Sequence, residues 1–256
     1  MPFEYIDVET AVQRDGLRMV VVGGVPSPWS EAAKGILHIK GIEWSAVRLA
    51  YDSETLKQWA GELSAPVLMY GQERPRRGWA EILLLAQRLV PTPSLLPEDP
   101  AARALAFGLA HELCGECGLG WSRRLQLIHA GLRSEGGFPD RVAKYLGKKY
   151  GYSPEAGEAA AGRVKTLLGM FAARLKAQRE AGSPYYIGDS VTAVDVYSAA
   201  VLGLLRPLPH EACPMDAGVR TAFETRDPET DAALDPILLA HRDLMYARHL
   251  ALPLSL

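Results

Sequence analysis

The stretch that sets the fold of the first part of the chain is 17–41, which reads LRMVVVGGVPSPWSEAAKGILHIKG. The apolar run at its start is rich in valine and predicts a short strand. After a Gly-Gly turn, Ser27 stands where a helix N-cap is expected, Pro28 follows at the first helical position, and Gly41 provides the stop. The stretch therefore predicts a strand that passes through a turn into a helix, with Ser27 and Ser30 in or beside its first turn.

The segments that follow continue the alternation between strand and helix. Apolar alternation predicts strands at 42–49 and 65–73, and capped amphipathic patterns predict helices at 52–63 and 78–89. A βαβ unit followed by ββα implies a compact sheet covered by helices, an α/β fold.

The composition changes at 90–100, VPTPSLLPEDP, which has four prolines in eleven residues. Neither a helix nor a central strand accepts that many prolines, so this segment is the predicted linker. We therefore divide the chain into a first domain at 1–89, with 1–16 as an extension, and an all-helical bundle at 101–256. Beyond the linker the periodic segments are helical, at 101–117, 120–134, 138–149, 154–180, 192–205 and about 232–250.

Composition narrows the possible partners. The chain has 256 residues, 48% of them hydrophobic, and a formal net charge of −2. This charge gives no overall attraction to nucleic acid or to an anionic membrane, so we expect a small-molecule or protein partner. The start of the chain lacks a secretory pattern, and three cysteines fit a reducing compartment, so we expect a cytoplasmic protein.

Three motifs carry a resemblance to a known family. They are VPSPWSEAAKGILHIKGIEW at 25–44, SAPVLMYG at 64–71 and YYIGDSVTAVDVYSAA at 185–200. Together with the proline-rich linker, they resemble the glutathione transferase superfamily, as a serine-type or uncharacterised bacterial-like member. The resemblance implies a thioredoxin-like N-terminal domain followed by an all-helical C-terminal domain. In the third motif, Thr192 and Asp195 also form a predicted capping box at a helix start.

The resemblance implies a site for glutathione as substrate or cofactor. Pro66 would be a cis-proline that holds the backbone of Ala65 for the cysteinyl part of the ligand. The family's acid-serine pair for the γ-glutamyl end has no match, because it falls on Arg77 and Gly78 or, counted from the helix end, on Glu81 and Ile82. The implied glutathione-binding residues are Ala65, Pro66, Arg77, Gly78, Trp79 and Glu81.

The arginines beside this position have two readings. Arg74, Arg76 and Arg77 can offer guanidinium forks to a ligand carboxylate, and amides at a helix start near Gly78 favour an anion. Alternatively, the arginines belong to a solvated turn.

The two serines are the implied catalytic residues. Ser27-Pro-Trp-Ser30 has the frame of the redox motif Cys-Pro-x-Cys with both sulfurs replaced, so disulfide chemistry is excluded. In serine-type members a hydroxyl donates to the glutathione sulfur and favours its thiolate. Ser27 is the first candidate donor and Ser30 the second, and the alternative is that Ser27 only caps the helix.

A pocket for the second substrate is expected on the first helices of the bundle. The candidate lining residues are aromatic or cationic: Phe107, His111, Trp121 and Arg124. Their alternative is packing, in the core for Phe107 and at a helix turn for Trp121. Cys114 and Cys117 form a CxxC in a predicted helix, in a row with His111. A metal site would need a fourth ligand, and none is suitably spaced, so we expect no metal and two buried packing cysteines.

The resulting hypothesis is a glutathione transferase-like enzyme, homodimeric, that activates the glutathione thiolate for attack on an electrophilic small molecule. Isomerisation, or ether or halide cleavage, would use the same thiolate. The alternative is a protein of the same fold without catalysis that binds ligands or other proteins. No nucleic acid or membrane partner is expected.

Overall fold

The computed structural model describes residues 3–256. It divides into two compact units. The first comprises the chain up to Leu95 together with Pro209–Met215 and His249–Leu256, and the second comprises Leu96–Leu208 and Asp216–Arg248. Two late segments of the chain, 209–215 and 249–256, thus belong to the first unit.

The first unit is built on a small mixed sheet. The elements in chain order are β1 (Tyr5–Ile6), α1 (Val8–Gln13), β2 (Leu17–Val21), α2 (Pro28–Ile39), β3 (Ser45–Arg48), α3 (Glu54–Ala60), β4 (Val67–Tyr70) and α4 (Trp79–Leu89). The order across the sheet is β1-β3-β2-β4: β3 pairs parallel with both β1 and β2, and β2 pairs antiparallel with β4.

The extension at 1–16 contributes an edge strand and a helix that the sequence pattern does not predict. Asp7 caps α1 by accepting from the backbone N of Thr10 at 2.6 Å. Val8 and Ala11 of this helix are buried in the same apolar cluster as Leu56 of α3. Six helical residues are too few for periodicity to be visible, yet they cover one face of the sheet.

The predicted ββα unit is only partly formed. Opposite β4 there is only an isolated bridge, in which Leu68 and Arg76 exchange backbone hydrogen bonds of 2.8 and 2.9 Å. Pro75 next to Arg76 has no N–H to extend the ladder. The expected ββα is therefore one strand, a bridged loop and α4, and the predicted strand at 65–73 is confined to Val67–Tyr70.

The sheet is buried on both faces, because strand side chains that point to opposite faces are buried alike. Val20, Val47 and Val67 join the cluster with α1 and α3, whereas Met19 and Leu68 alternate with them and are also fully buried. A sheet buried on both faces holds its strands in fixed positions, and α2 and α4 are the helices that follow β2 and β4 along the chain.

The second unit is entirely helical in regular structure. Six of its helices correspond to predicted segments, with ends that shift by a few residues. The elements are α5 (Pro100–Cys114), α6 (Leu119–Leu132), α7 (Asp140–Tyr150), α8 (Pro154–Glu180), α9 (Ala193–Leu202), α10 (Ala217–Phe223), α11 (Pro228–Ala233) and α12 (Pro236–Arg248). The short helices α10 and α11 were not predicted. The α/β unit followed by an all-helical one confirms the predicted fold class.

A buried polar network fixes the start of α9. The predicted capping box at Thr192 and Asp195 is present. The carboxylate of Asp195 accepts from the backbone N of Thr192 at 2.8 Å and from that of Tyr186 at 2.9 Å, and it lies 3.0 Å from Nε2 of His241 on α12. Asp195 and His241 are both at most 1% exposed. The network therefore ties α9 to the preceding loop and to α12.

Within residues 3–256 the structure has no helix that is both long and apolar enough to cross a membrane.

Candidate functional site

The first turn of α2 presents two serine hydroxyls. Ser27 holds the N-cap position, with φ −65° and ψ 120°, and its carbonyl accepts from the backbone N of Glu31 at 2.8 Å. Its side chain, however, makes no capping hydrogen bond to the helix. Ser30 is 1% exposed, and its Oγ has no hydrogen-bond partner among residues 3–256.

This arrangement suits the stabilisation of a negative charge. The N-terminus of a helix carries a partial positive charge, and both hydroxyls retain a proton to donate. Pro28 at the first helical position offers no N–H of its own. The chemistry available to the turn is hydrogen-bond donation to an anion, because a hydroxyl cannot exchange a disulfide.

A buried carboxylate follows directly in the sequence. Glu31 is ion-paired with Lys34 at 2.5 Å, and its side chain is almost fully buried. Burial raises the pKa of Glu31, and the Lys34 ammonium opposes that rise in part. The Lys34 ammonium also donates to the carbonyl of Ser255 at 2.7 Å and lies 5.3 Å from the ring centroid of Phe3.

Sequence reasoning missed the Glu31–Lys34 pair. The spacing i, i+3 was visible, but such pairs on helices are usually exposed. Here Phe3 of the extension and Ser255 of the last segment contact Lys34, and neither could be placed on α2 from a local pattern.

The Ala65–Pro66 peptide bond is cis, as the sequence predicts. Pro66 is buried directly before β4, and Ala65 is half-buried. The sequence predicts three strands in the first domain, and β1 is an additional one, so the strand that follows Pro66 is the fourth along the chain.

The start of α4 already carries a carboxylate of the chain. Gly78 is its N-cap and supplies no side chain, and Trp79 is the first helical residue. Oε2 of Glu81 accepts from the backbone N of Arg77 at 3.1 Å, and Oε1 lies 2.6 Å from the guanidinium of Arg74. The hydrogen bond from the Arg77 amide and the Arg74 charge hold the pKa of Glu81 below its ordinary value.

The neighbouring arginines are also engaged within the protein. Arg77 donates to the carbonyl of Ala60 at the end of α3, from Nη2 at 2.9 Å and from Nε at 3.2 Å. Arg76 pairs with Glu73 at 2.6 Å. Arg74 and Arg77 are nevertheless exposed, so the solvated-turn reading and the ligand reading of these arginines both stay open.

The four residues proposed for a second-substrate pocket lie on α5 and α6 of the second unit, in different environments. Phe107 is half-buried, with the guanidinium of Arg103 5.5 Å from its ring centroid. His111, one turn further along α5, is exposed. Of the four residues, His111 is the only exposed one: Phe107 and Trp121 are half-buried and Arg124 is buried.

Trp121 and Arg124 on α6 take part in packing. The Trp121 ring meets that of Tyr150 edge-on, with centroids 4.7 Å apart. The Arg124 side chain is buried, and its guanidinium lies 5.4 Å from the ring centroid of Phe138 and 5.6 Å from that of Phe223. Both side chains thus connect α6 to its neighbours within the second unit.

The CxxC pair differs from its prediction. Cys114 ends α5 and is buried, which raises the pKa of its thiol, but Cys117 lies in the following turn, with φ 60°, and is exposed. The two were expected on one helix and both buried; the chain leaves the helix at Gly115 and so separates them. No group of three or more metal-ligating side chains occurs in the described part of the chain.

Comparison with solved structures places this fold among known ones. A glutathione S-transferase from Methylobacterium radiotolerans in complex with glutathione sulfonate is 20% identical, with a TM-score of 0.62 over 91% of each chain. The Tau class glutathione S-transferase of mango, Mangifera indica, is 19% identical, with a TM-score of 0.58 over 92% of this chain and 90% of that one. A glutathione S-transferase from Methylobacillus flagellatus with glutathione bound is 13% identical, with a TM-score of 0.62 over 91% and 96%.

No family model matches the chain, and no curated protein does so either. The likeness is therefore one of architecture, and it extends over nine-tenths of the chain in these three structures. The chain has the fold of the glutathione S-transferase superfamily.

Proposed function

We propose that the protein binds glutathione and activates its thiol for attack on an electrophilic small molecule. The observation that carries the proposal is the state of Ser27: it stands at the N-cap of α2, yet its hydroxyl makes no capping bond. A donor at a helix N-terminus favours the thiolate over the thiol. Ser30 is the second candidate donor, since its buried hydroxyl lacks a partner within residues 3–256.

The proposed contacts with the tripeptide use the backbone more than side chains. The backbone of Ala65 before Pro66 would pair with the cysteinyl part. The amides of Gly78 and Trp79 would receive the γ-glutamyl carboxylate, with Arg77 and Glu81 beside it. Structures of this fold with glutathione sulfonate or glutathione bound support the choice of ligand.

The finer parts of the proposal concern the second substrate and the assembly. We place the electrophile in a pocket near Phe107 and His111. Trp121 and Arg124 would support this pocket through their packing. We further propose a homodimer that acts in the cytoplasm, in keeping with three free cysteines.

Substitution of Ser27 by alanine tests the chemistry. A hydrogen bond to a charged group contributes about 1.5–3 kcal/mol, so kcat/KM for thiol conjugation should fall about ten- to a hundredfold. The pH-rate profile should also move to higher pH, because the bound thiol loses the donor that lowers its pKa. Stopped-flow or steady-state conjugation assays across pH measure both effects.

Ser190→Ala is the matched control, since Ser190 is an exposed serine in the second unit. Ser30→Ala identifies the donor if Ser27→Ala leaves the profile unchanged. Unchanged activity and pH profile in both variants would refute thiol activation by this turn.

A second candidate function is favoured by the start of α4. Glu81 occupies that helix terminus, and Arg74 and Arg77 are committed to Glu81 and Ala60. A protein of this fold that binds other ligands without glutathione chemistry would keep such an arrangement. Calorimetry separates the two: no heat of binding at millimolar glutathione favours the second function.

A further inference from the structure

Helix α7 presents a cluster of cations and apolar side chains to solvent. We call this cluster the α7 basic patch; its members are all exposed and are Arg141, Val142, Lys144, Tyr145, Lys148 and Lys149. The patch lies outside the residues proposed for glutathione.

The patch is held in place by the opposite face of the helix. Ala143 and Gly147 are buried, and α7 packs on α6. A methyl group added at Gly147 would be in ordinary contact with Tyr152 at 3.5 Å and Ile128 at 3.8 Å. The buried face fixes α7 against α6, and the outward side chains therefore keep a fixed spacing.

The charge of the patch is opposite to that of the chain as a whole. Four cations stand on α7 against one acid, Asp140, whereas the whole protein carries −2. Asp140 pairs with Lys144 at 2.7 Å. Arg141 and Lys148 form no ion pair or hydrogen bond with the described residues, so their charges are available to a partner.

The arrangement of these side chains suits a flat anionic surface. Tyr145 lies one helical turn from Arg141 and one turn from Lys149, and Val142 and Lys148 flank it at i−3 and i+3. An apolar pair is thus framed by cations on a convex helix face. Small molecules and peptides bind preferentially in clefts or grooves, whereas a lipid surface requires only charge and shallow apolar contact.

We propose that the α7 basic patch docks the protein on membranes that contain anionic lipids. The cations attract the negative headgroups, and Tyr145 and Val142 enter the interfacial layer, a position that aromatic side chains with a polar tip favour. The helix is short and exposes only two apolar side chains, so the binding is peripheral and reversible. The inference is independent of the glutathione chemistry.

Sedimentation with vesicles tests the proposal with the full chain. The protein should co-sediment with vesicles of phosphatidylcholine and phosphatidylserine in equal parts, and not with phosphatidylcholine alone. Each cation near such a surface changes the partition coefficient about fivefold, so Arg141→Gln with Lys148→Gln should weaken binding about twenty-fivefold. Binding should also fall with added salt.

The matched control is Arg14→Gln with Arg179→Gln, which removes two exposed cations elsewhere. This control should bind as the wild type does, and circular dichroism should show equal helicity in both variants. Equal loss in the control, or equal binding to uncharged vesicles, would overturn the proposal. So would binding to soluble poly-glutamate with no binding to anionic vesicles, which would identify an acidic protein partner instead.

Discussion

Ser27 occupies the N-cap position of α2, but its hydroxyl does not cap the helix. The position follows from the sequence, because Ser before Pro at the start of a helical pattern is a strong signal. The orientation of the hydroxyl does not, since it depends on a rotamer chosen by the surroundings. For this residue the sequence predicts the place, and the structure is needed to see that the hydrogen-bond donor is available.

The identity of the acid at the start of α4 illustrates the same limit. Glu81 could be aligned with the family's acid-serine pair, but a sequence cannot reveal that its carboxylate lies on the Arg77 amide and the Arg74 guanidinium. The consequence is competition between this side chain and any ligand carboxylate for one helix terminus.

Replacement of Glu81 by glutamine should therefore increase the affinity for glutathione. Removal of a negative charge from a helix N-terminus changes the free energy of binding another anion there by up to about 1 kcal/mol, or about fivefold. Calorimetric titration of the wild type and E81Q measures the difference. Weaker binding in E81Q would show that the carboxylate instead contributes to holding the ligand.

Glu31 provides a prediction of pH dependence. Burial raises its pKa above that in the unfolded chain, with the Lys34 ammonium opposing. The folded state thus favours the protonated acid, and ionisation of Glu31 destabilises it at neutral pH. Glu31→Gln should be at least as stable as the wild type at pH 7, and this advantage should shrink as pH falls through the raised pKa toward about 4, the ordinary value for glutamate.

Urea unfolding at a series of pH values measures that change in the free energy of unfolding. Glu54→Gln serves as the control, because Glu54 is exposed in an i, i+3 pair with Lys57 at 3.8 Å. An advantage of E31Q that grows as pH falls would contradict the assignment of Glu31 as a destabilised carboxylate.

At the scale of elements, long periodic segments were predictable and short ones were not. Helix α8 spans Pro154–Glu180 as the sequence predicts, because seven turns give a clear period and Ser153 caps its start. Helices α1 and α11 have six residues each, too few for a period to appear. Only an isolated bridge lies opposite β4, because Pro75 has no N–H to extend the ladder.

The start of α9 allows a sharp test of how one element is fixed. Asp195→Ala removes the acceptor of the Thr192 and Tyr186 amides and the partner of His241. Loss of one partner in a buried charged network destabilises a protein by about 3–5 kcal/mol. Urea denaturation should report that loss in the free energy of unfolding.

Asp189→Ala is the matched control, since Asp189 is an exposed aspartate in the same loop region. It should change stability by less than about 0.5 kcal/mol. If Asp195→Ala lowered the free energy of unfolding no more than Asp189→Ala does, the hydrogen bonds of Asp195 would contribute nothing to stability.

At the scale of the whole molecule, properties of the whole sequence such as net charge did not predict local features of the structure. The net charge of −2 argued against an anionic membrane partner, yet four cations are gathered on the exposed side of α7. The linker position was marked by its prolines, but no local pattern could show that 209–215 and 249–256 join the first unit. Such membership depends on contacts between residues far apart in sequence.

The last residues contribute directly to the first unit. The Lys34 ammonium donates to the carbonyl of Ser255 at 2.7 Å, and the backbone N of Leu254 donates to the carbonyl of Ala212 at 2.8 Å. A chain truncated after Pro253 loses both hydrogen bonds. Its free energy of unfolding should be about 1–3 kcal/mol lower than that of the full chain. Urea denaturation measures the change.

Lys34→Met supplies the coupling control for that truncation. If Ser255 acts through Lys34, the two changes together should cost less than the sum of their separate effects. Full additivity would show that the last residues act independently of Lys34.

The division of the first unit along the chain has a consequence for synthesis. Its last segment, His249–Leu256, leaves the ribosome only after all of the second unit has been made. At about 5–20 residues per second, the nascent first unit waits on the order of ten seconds for that segment. During this interval α2 lacks the carbonyl that binds Lys34, so the hydrogen bond that joins the helix of both serines to Ser255 forms only after the second unit has been made.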